Sequence, residues 1–339
     1  SDLPEMLALE RIIAAHREQL SVRVMCDIAA GSGKTFPVYA VSFGNDSREV
    51  PAIGFFGGVH GLERIGTQVL LAFMNSLLTR LRWDLRLREQ LTMVRFVFMP
   101  IINPAGMWRS TRCNASGIDL MRNAPVESKE KVPLLVGGHR YSARLPWYRG
   151  RAGQPMEAEN EAVCRVVHEE LQSRPFSIAL DCHSGFGLRD RIWFPYAHST
   201  APIPHLPEVF ALLDLFSQSY PHHNYLFEPQ SRQYLTHGDL WDHLYLKAVE
   251  DDERVFLPLT LEMGSWSWVK KNPLQLLTRG GLFNPLPLHR LQRVLRRHLV
   301  WLEFLSLAAG AHRHWVPQGS HRNEQQARAF ARWYGRAPR

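Results

Sequence analysis

The segment Gly57-Gly58-Val59-His60-Gly61-Leu62-Glu63-Arg64-Ile65-Gly66 sets a histidine and a glutamate three positions apart. At the start of a helix two such side chains can point the same way, and an imidazole nitrogen with a carboxylate oxygen can grip one divalent ion. The spacing alone is a weak signal, because a chain with 16 histidines contains chance instances. Its context is stronger. A short apolar run, Pro51 to Phe56, comes before it and helical spacing through Leu70 to Leu81 follows. The pair therefore lies at the carboxyl end of a strand, where α/β proteins place their sites. Asp181-Cys182-His183-Ser184-Gly185 closes another apolar strand, which makes His183 the natural third ligand. Two nearby ligands and one distant histidine form the arrangement of catalytic zinc, with the fourth position open to water. One Zn2+ per chain is expected, and Asp181 and Asp119 are candidates for either a structural or a ligand-supporting role.

Elements that would position these residues follow from periodicity. Pro4 to about Gln19 has helical apolar spacing, and Val22–Ile28 and Phe36–Phe43 read as strands. Met93 to Ile102 is apolar and β-branched, as a buried strand should be. Glu157–Leu171 reads as a helix, Phe176–Asp181 as a strand, Pro207–Ser219 as a helix, Val255–Glu262 as a strand and Leu288–Ala309 as a long helix. Residues 103 to 155, rich in Gly, Pro, Arg and Asn, read as functional loops. Strands alternating with helices predict an α/β/α sandwich around a central, mixed, twisted sheet, in one domain over residues 1–312. Gly31-Ser32-Gly33-Lys34-Thr35 imitates the end of a phosphate-binding loop. However, Ile28 stands where that loop needs its first glycine, and a strand follows instead of a helix, so the segment is a hairpin turn.

Composition narrows the class. The 339 residues are 45% hydrophobic and 21% charged, enough for a sizeable core. Net charge is +8, but residues 313–339 carry six arginines and one acid, five of the eight surplus charges. That segment reads as a solvated basic extension. No nucleic-acid motif and no apolar run of membrane-spanning length accompany the charge, so neither partner is expected. Cys26, Cys113, Cys164 and Cys182 form no CxxC pair, which argues against a disulfide scaffold and a cysteine zinc site. Reduced thiols and an N-terminal helix without signal character predict a cytoplasmic location. Oligomeric state is not legible.

Further motifs fall in an order that resembles the zinc carboxypeptidase family. Asn103-Pro104-Ala105-Gly106 resembles its Asn-Pro-x-Gly loop, and Trp108-Arg109-Ser110-Thr111-Arg112 its Trp-Arg-x-Thr-Arg stretch. Gly117-Ile118-Asp119-Leu120-Met121-Arg122-Asn123 is similar to Gly-x-Asp-x-Asn-Arg-Asn. The run from Tyr234 through Gly238 and Trp241 to Tyr245 resembles the loop with the family's substrate-binding tyrosine, and Leu259-Thr260-Leu261-Glu262 its catalytic strand. The resemblance spans roughly residues 50 to 310 and implies a carboxypeptidase-like fold and hydrolysis of a peptide or amino-acid-derived amide. It implies Glu262 as general base, Arg109 facing the oxyanion, and Arg122, Tyr234, Asn123 and Trp241 as substrate contacts.

The pattern breaks at Met121, where the family places an asparagine that helps hold a terminal carboxylate. Losing a hydrogen bond to a charged group costs about 1.5–3 kcal/mol, so that grip is weakened, moved to Asn114 or Asn123, or absent. Trp241 either walls the side-chain pocket or packs in the core. Glu262-Met263-Gly264 also resembles the Glu-x-Gly of aspartoacylase and succinylglutamate desuccinylase, which keeps a deacylase of N-acyl amino acids open. A zinc-binding protein without catalysis is the third reading.

Overall fold

A computed structural model describes residues 3–251, 253–278 and 280–335. After helix α1 (Pro4–Ala15), strands β1 (Ser21–Gly31) and β2 (Lys34–Gly44) form a hairpin. Its two-residue connection has positive φ at Ser32 (52°) and Gly33 (69°), the geometry of a type I′ turn, so the phosphate-loop imitation is a hairpin. The chain continues through β3 (Ala52–Gly57), α2 (Arg64–Arg80), α3 (Leu85–Met93), β4 (Arg95–Met99) and α4 (Pro104–Arg109). Next come α5 (Ala158–Val166, extended by a π-helical turn to Gln172), β5 (Phe176–Ser184), β6 (Arg191–Phe194), α6 (Leu206–Ser219), β7 (Leu226–Pro229) and α7 (Leu240–Ala248). The last elements are β8 (Val255–Met263), α8 (Trp266–Lys271), α9 (Leu288–Gly310), α10 (His312–Trp315) and α11 (Gly319–Trp333).

The strands make one eight-stranded sheet in the order β1-β2-β4-β3-β5-β8-β6-β7. The centre is parallel (β4, β3, β5, β8), while β2 against β4 and β6 against β8 are antiparallel. Every residue of β3, β4 and β5 is buried, which fits the apolar side chains of β3, of Phe96–Met99 in β4 and of Ile178–Leu180 in β5. From β3 the chain crosses to β4 on one side, whereas β5 lies on the other. This reversal opens a crevice at the carboxyl ends of β3 and β5. Glycine keeps the layers close there. A Cβ on Gly66 would come within 2.3 Å of Cys182 O, and one on Gly61 within 2.0 Å of the Gly106 carbonyl carbon.

Short pieces escape a periodicity reading. β6 and β7 have four residues each, and α3 occupies part of the expected strand from Met93. The C-terminal segment is also not the solvated extension that was expected. In α11, Ala329 and Trp333 are buried against α6. The Trp333 ring meets Phe194 at 4.7 Å and its indole donates to Phe227 O at 2.7 Å. Arg322 pairs with Glu208 at 2.6 Å, and Arg328 lies 5.0 Å from the Phe210 ring centroid. The arginines thus cover a helix anchored by two buried apolar residues, Ala329 and Trp333. Arg336 and Arg339 lie outside the described residues. Among those residues no helix is long and apolar enough to cross a membrane.

Trp333→Ala should lower unfolding free energy by about 3–5 kcal/mol, as for other buried tryptophans. Denaturant unfolding measures it; an unchanged midpoint would mean that α11 is a free extension.

Candidate metal centre and active site

The loop after β3 brings His60 and Glu63 to the crevice, and the end of β5 brings His183. All three side chains are buried, and one potential ligand atom from each lies within 4.8 Å of the others. His60 Nδ1 is 2.8 Å from Glu63 Oε1, and His183 Nδ1 is 3.1 Å from Glu63 Oε2. The outer nitrogens face carboxylates: His60 Nε2 is 3.1 Å from Asp119 Oδ1, and His183 Nε2 is 2.7 Å from Asp181 Oδ2. Asp119 and Asp181 are themselves fully buried. Such carboxylates hold the proton on Nε2 and leave the Nδ1 lone pairs directed inward, as metal-ligating histidines require. Two imidazoles and one carboxylate are a suitable donor set for zinc.

The charges reinforce one another. Burial pushes the Glu63 carboxyl up, but the two histidines outweigh it and hold it below the ordinary range. Burial likewise disfavours the His183 cation, yet Asp181 and then Glu63 raise its pKa well above normal. Glu262 stands beside His183 in the β5–β8 register. Its pKa is pushed up to about 8, first by burial and then by the Glu63 charge, with His183 and Arg112 opposing. The Phe186 N–H donates to Glu262 Oε1 at 3.0 Å and fixes the carboxylate's orientation.

These groups line a cavity of about 630 Å³ that also exposes Arg112, Arg122, Tyr234 and Met121. Arg112 is the cation nearest the ligand group: its Nε donates to Asp119 Oδ2 at 2.8 Å, and its Nη1 is 3.5 Å from Glu63 Oε1. Arg122 donates to Val136 O and Met121 O and lies 6.0 Å from the Tyr234 ring centroid. Phe186, Trp193 and Trp266 form an aromatic wall with Tyr234.

Three expected site residues are placed elsewhere. Arg109 ends α4 and donates to Ala30 O (2.9 and 2.6 Å) and Ala115 O (3.0 Å), tying that helix to the hairpin. Ser110, left-handed at φ 53°, ends the helix there, and the chain returns Arg112 to the cavity. Asn123 donates to Arg149 O and accepts from Glu157 N–H, beside a different cavity. Trp241 is buried edge-on to Phe56 and donates from Nε1 to Asp181 Oδ2 at 2.8 Å, so it steadies the carboxylate behind His183.

The zinc carboxypeptidase family model matches residues 10–248. The chain belongs to this family. The matched span ends before β8, so Glu262 lies outside it. Among individual members, carboxypeptidase SOL1 of Arabidopsis thaliana is 30% identical over 93 residues, 26% of this chain and 19% of that protein. A probable carboxypeptidase 2 of Trichophyton verrucosum is 30% identical over 102 residues, 29% of this chain and 19% of that protein. The matches thus span about a fifth of these curated relatives (19%). Bovine thrombin-activatable fibrinolysis inhibitor, solved in complex with tick carboxypeptidase inhibitor, superposes with a TM-score of 0.66 at 17% identity, covering 92% of this chain and 98% of that one. Carboxypeptidase A of Helicoverpa armigera gives a TM-score of 0.66 at 13% identity, over 89% of this chain and 71% of that one. At such identities these likenesses establish the carboxypeptidase fold.

Asp181→Ala should weaken zinc affinity by about 10–100-fold, the usual effect of removing such a support. Trp241→Phe, which removes the indole donor and part of the ring but keeps both His183 and Asp181, should weaken it less. Chelator competition measures both; equal affinities across the three proteins would contradict the supporting role.

Proposed function

We propose that this chain hydrolyses a peptide or peptide-like amide, with His60, Glu63 and His183 holding one zinc ion and Glu262 acting as general base. The observation that supports it most is the convergence of Glu262 and Arg112 on the ligand group within one cavity. A zinc ion held by these residues would supply the Lewis acidity that polarises a carbonyl and acidifies water. Glu262 then takes the water's proton on Oε2, since Oε1 is engaged by Phe186 N–H, and passes it to the leaving amine. Its raised proton affinity suits a group that must both accept and release a proton.

Arg112 replaces Arg109 as the cation for charge developing on the carbonyl oxygen. Ion pairs to the buried Asp119 and Glu63 hold its guanidinium in place before substrate arrives. Arg122 and the Tyr234 hydroxyl are the groups left to receive a substrate carboxylate. Met121 lines the cavity without offering a donor, and two Arg122 donors are committed to backbone carbonyls. Free carboxyl ends should therefore be preferred, but by a modest margin. The deacylase reading loses one support. Gly264, part of the Glu-x-Gly likeness, gives its N–H to Asp190 Oδ1 at 2.9 Å, a structural duty.

Glu262→Gln should keep zinc and fold while turnover falls by about 10²–10⁴, the span of general acid–base effects. Arg112→Ala should lower kcat, whereas Arg109→Ala should spare kcat in the folded fraction. Steady-state kinetics on one peptide, as free acid and as amide, would decide. Near-normal kcat in Glu262→Gln, or a kcat loss in Arg109→Ala instead of Arg112→Ala, would contradict these roles.

A further inference from the structure

Between Met263 and Leu302 the sequence carries seven lysines and arginines and no aspartate or glutamate. Three of its residues, Trp266, Leu282 and Phe283, line the cavity. Behind α8 the chain makes one helical turn over Pro273–Leu277 and folds back on itself. Gln275 points inward, 1% exposed, and donates to Gly281 O. Its neighbours point outward: Leu274 is 72% exposed, Leu276 55% and Leu277 84%. Leu286, just before α9, and Leu288, its first residue, are also exposed. Lys270 and Lys271 on α8, and Arg293 and Arg296 on α9, are exposed as well.

Isolated surface leucines are ordinary, but this many in one short segment mark an interaction surface. We propose that this basic, leucine-rich segment docks on the headgroup layer of an anionic lipid bilayer, leucines toward the acyl boundary and cations at the phosphates. Charge complementarity selects that occupant. The leucines protrude from a tight knot that directly follows Lys270 and Lys271, and the stretch from Met263 to Leu302 adds further cations and no acid of its own, although Arg297 is taken up by Asp190. A fluid anionic layer can accommodate both at once, because insertion rewards the apolar side chains and mobile phosphates can meet each cation where it stands.

The contact would reach the active site. The knot that turns its leucines outward places Leu282 and Phe283 in the cavity wall. Its Asn284 donates to Leu62 O and accepts from Ile65 N–H, on either side of Glu63. Docking would thus present the cavity mouth to the interface. Bilayer binding is read without turnover and so stands apart from the proposed hydrolysis.

Co-sedimentation with vesicles tests it, using phosphatidylcholine alone and phosphatidylcholine mixed with phosphatidylglycerol. The wild-type chain should sediment with the anionic vesicles, not the neutral ones, and added salt should release it. Leu274→Ser/Leu276→Ser/Leu277→Ser and Lys270→Glu/Lys271→Glu variants should each partition about tenfold less or weaker still. Their circular dichroism, zinc content and turnover of a short soluble substrate should match wild type. Absence of binding to anionic vesicles, or binding unchanged in both variants, would overturn the proposal. So would a wild-type dimer that the leucine variant dissolves while neither protein binds vesicles, because a second copy would then be what covers the leucines.

Discussion

Glu63 bridges two imidazoles whose far sides rest on buried carboxylates, and Glu262 faces the same space. Glu63, Asp119, Asp181 and Glu262 are therefore four buried acids around two histidines, with Arg112 the nearest permanent cation. Removing ionised carboxylates from water is strongly unfavourable unless positive charge is close. Protonating the histidines offsets part of this cost and consumes the lone pairs that point inward. A divalent cation offsets it while using those lone pairs. The excess of buried negative charge is the constraint to which the surrounding structure responds.

The sheet meets that constraint through register. His183 is level with Glu262, and Gly57, at the end of β3, is level with Cys182. β5 with His183, β8 with Glu262 and the loop with His60 and Glu63 therefore finish at one height. Gly61 and Gly66 let the loop and α2 approach their neighbours where a Cβ would collide with backbone. Supports come from farther away. Asp119 belongs to a loop that Arg112 also reaches, and Trp241 on α7 steadies Asp181.

Much of this was legible in the sequence for physical reasons. Strands buried on both faces are mostly apolar, so β3, β5 and β8 and the polar residues at their ends stand out. The reading failed where direction matters more than periodicity. Arg109 and Arg112 lie in one motif, and only the left-handed Ser110 decides that the second faces the cavity. Trp241 is one turn into a helix, and nothing in its spacing tells whether it meets substrate or Asp181. Asn123 adjoins Arg122 yet turns toward Arg149 and Glu157. The aromatic wall was missed because Trp193 lies on a four-residue strand and Phe186 in a glycine turn. α11 was missed because two buried residues, Ala329 and Trp333, are a thin apolar signal among arginines.

The central claim is that the inward-facing nitrogens are the Nδ1 atoms, held so by Asp119 and Asp181, and that Glu63 completes the metal site. Anomalous diffraction at the zinc edge from zinc-loaded crystals tests this most directly. One peak per chain is predicted, bounded by His60 Nδ1, Glu63 and His183 Nδ1, with Glu262 in the cavity but outside the ligand set. A peak on the Nε2 side of either histidine, a peak at a cysteine, or no peak between His60 and His183 would contradict it.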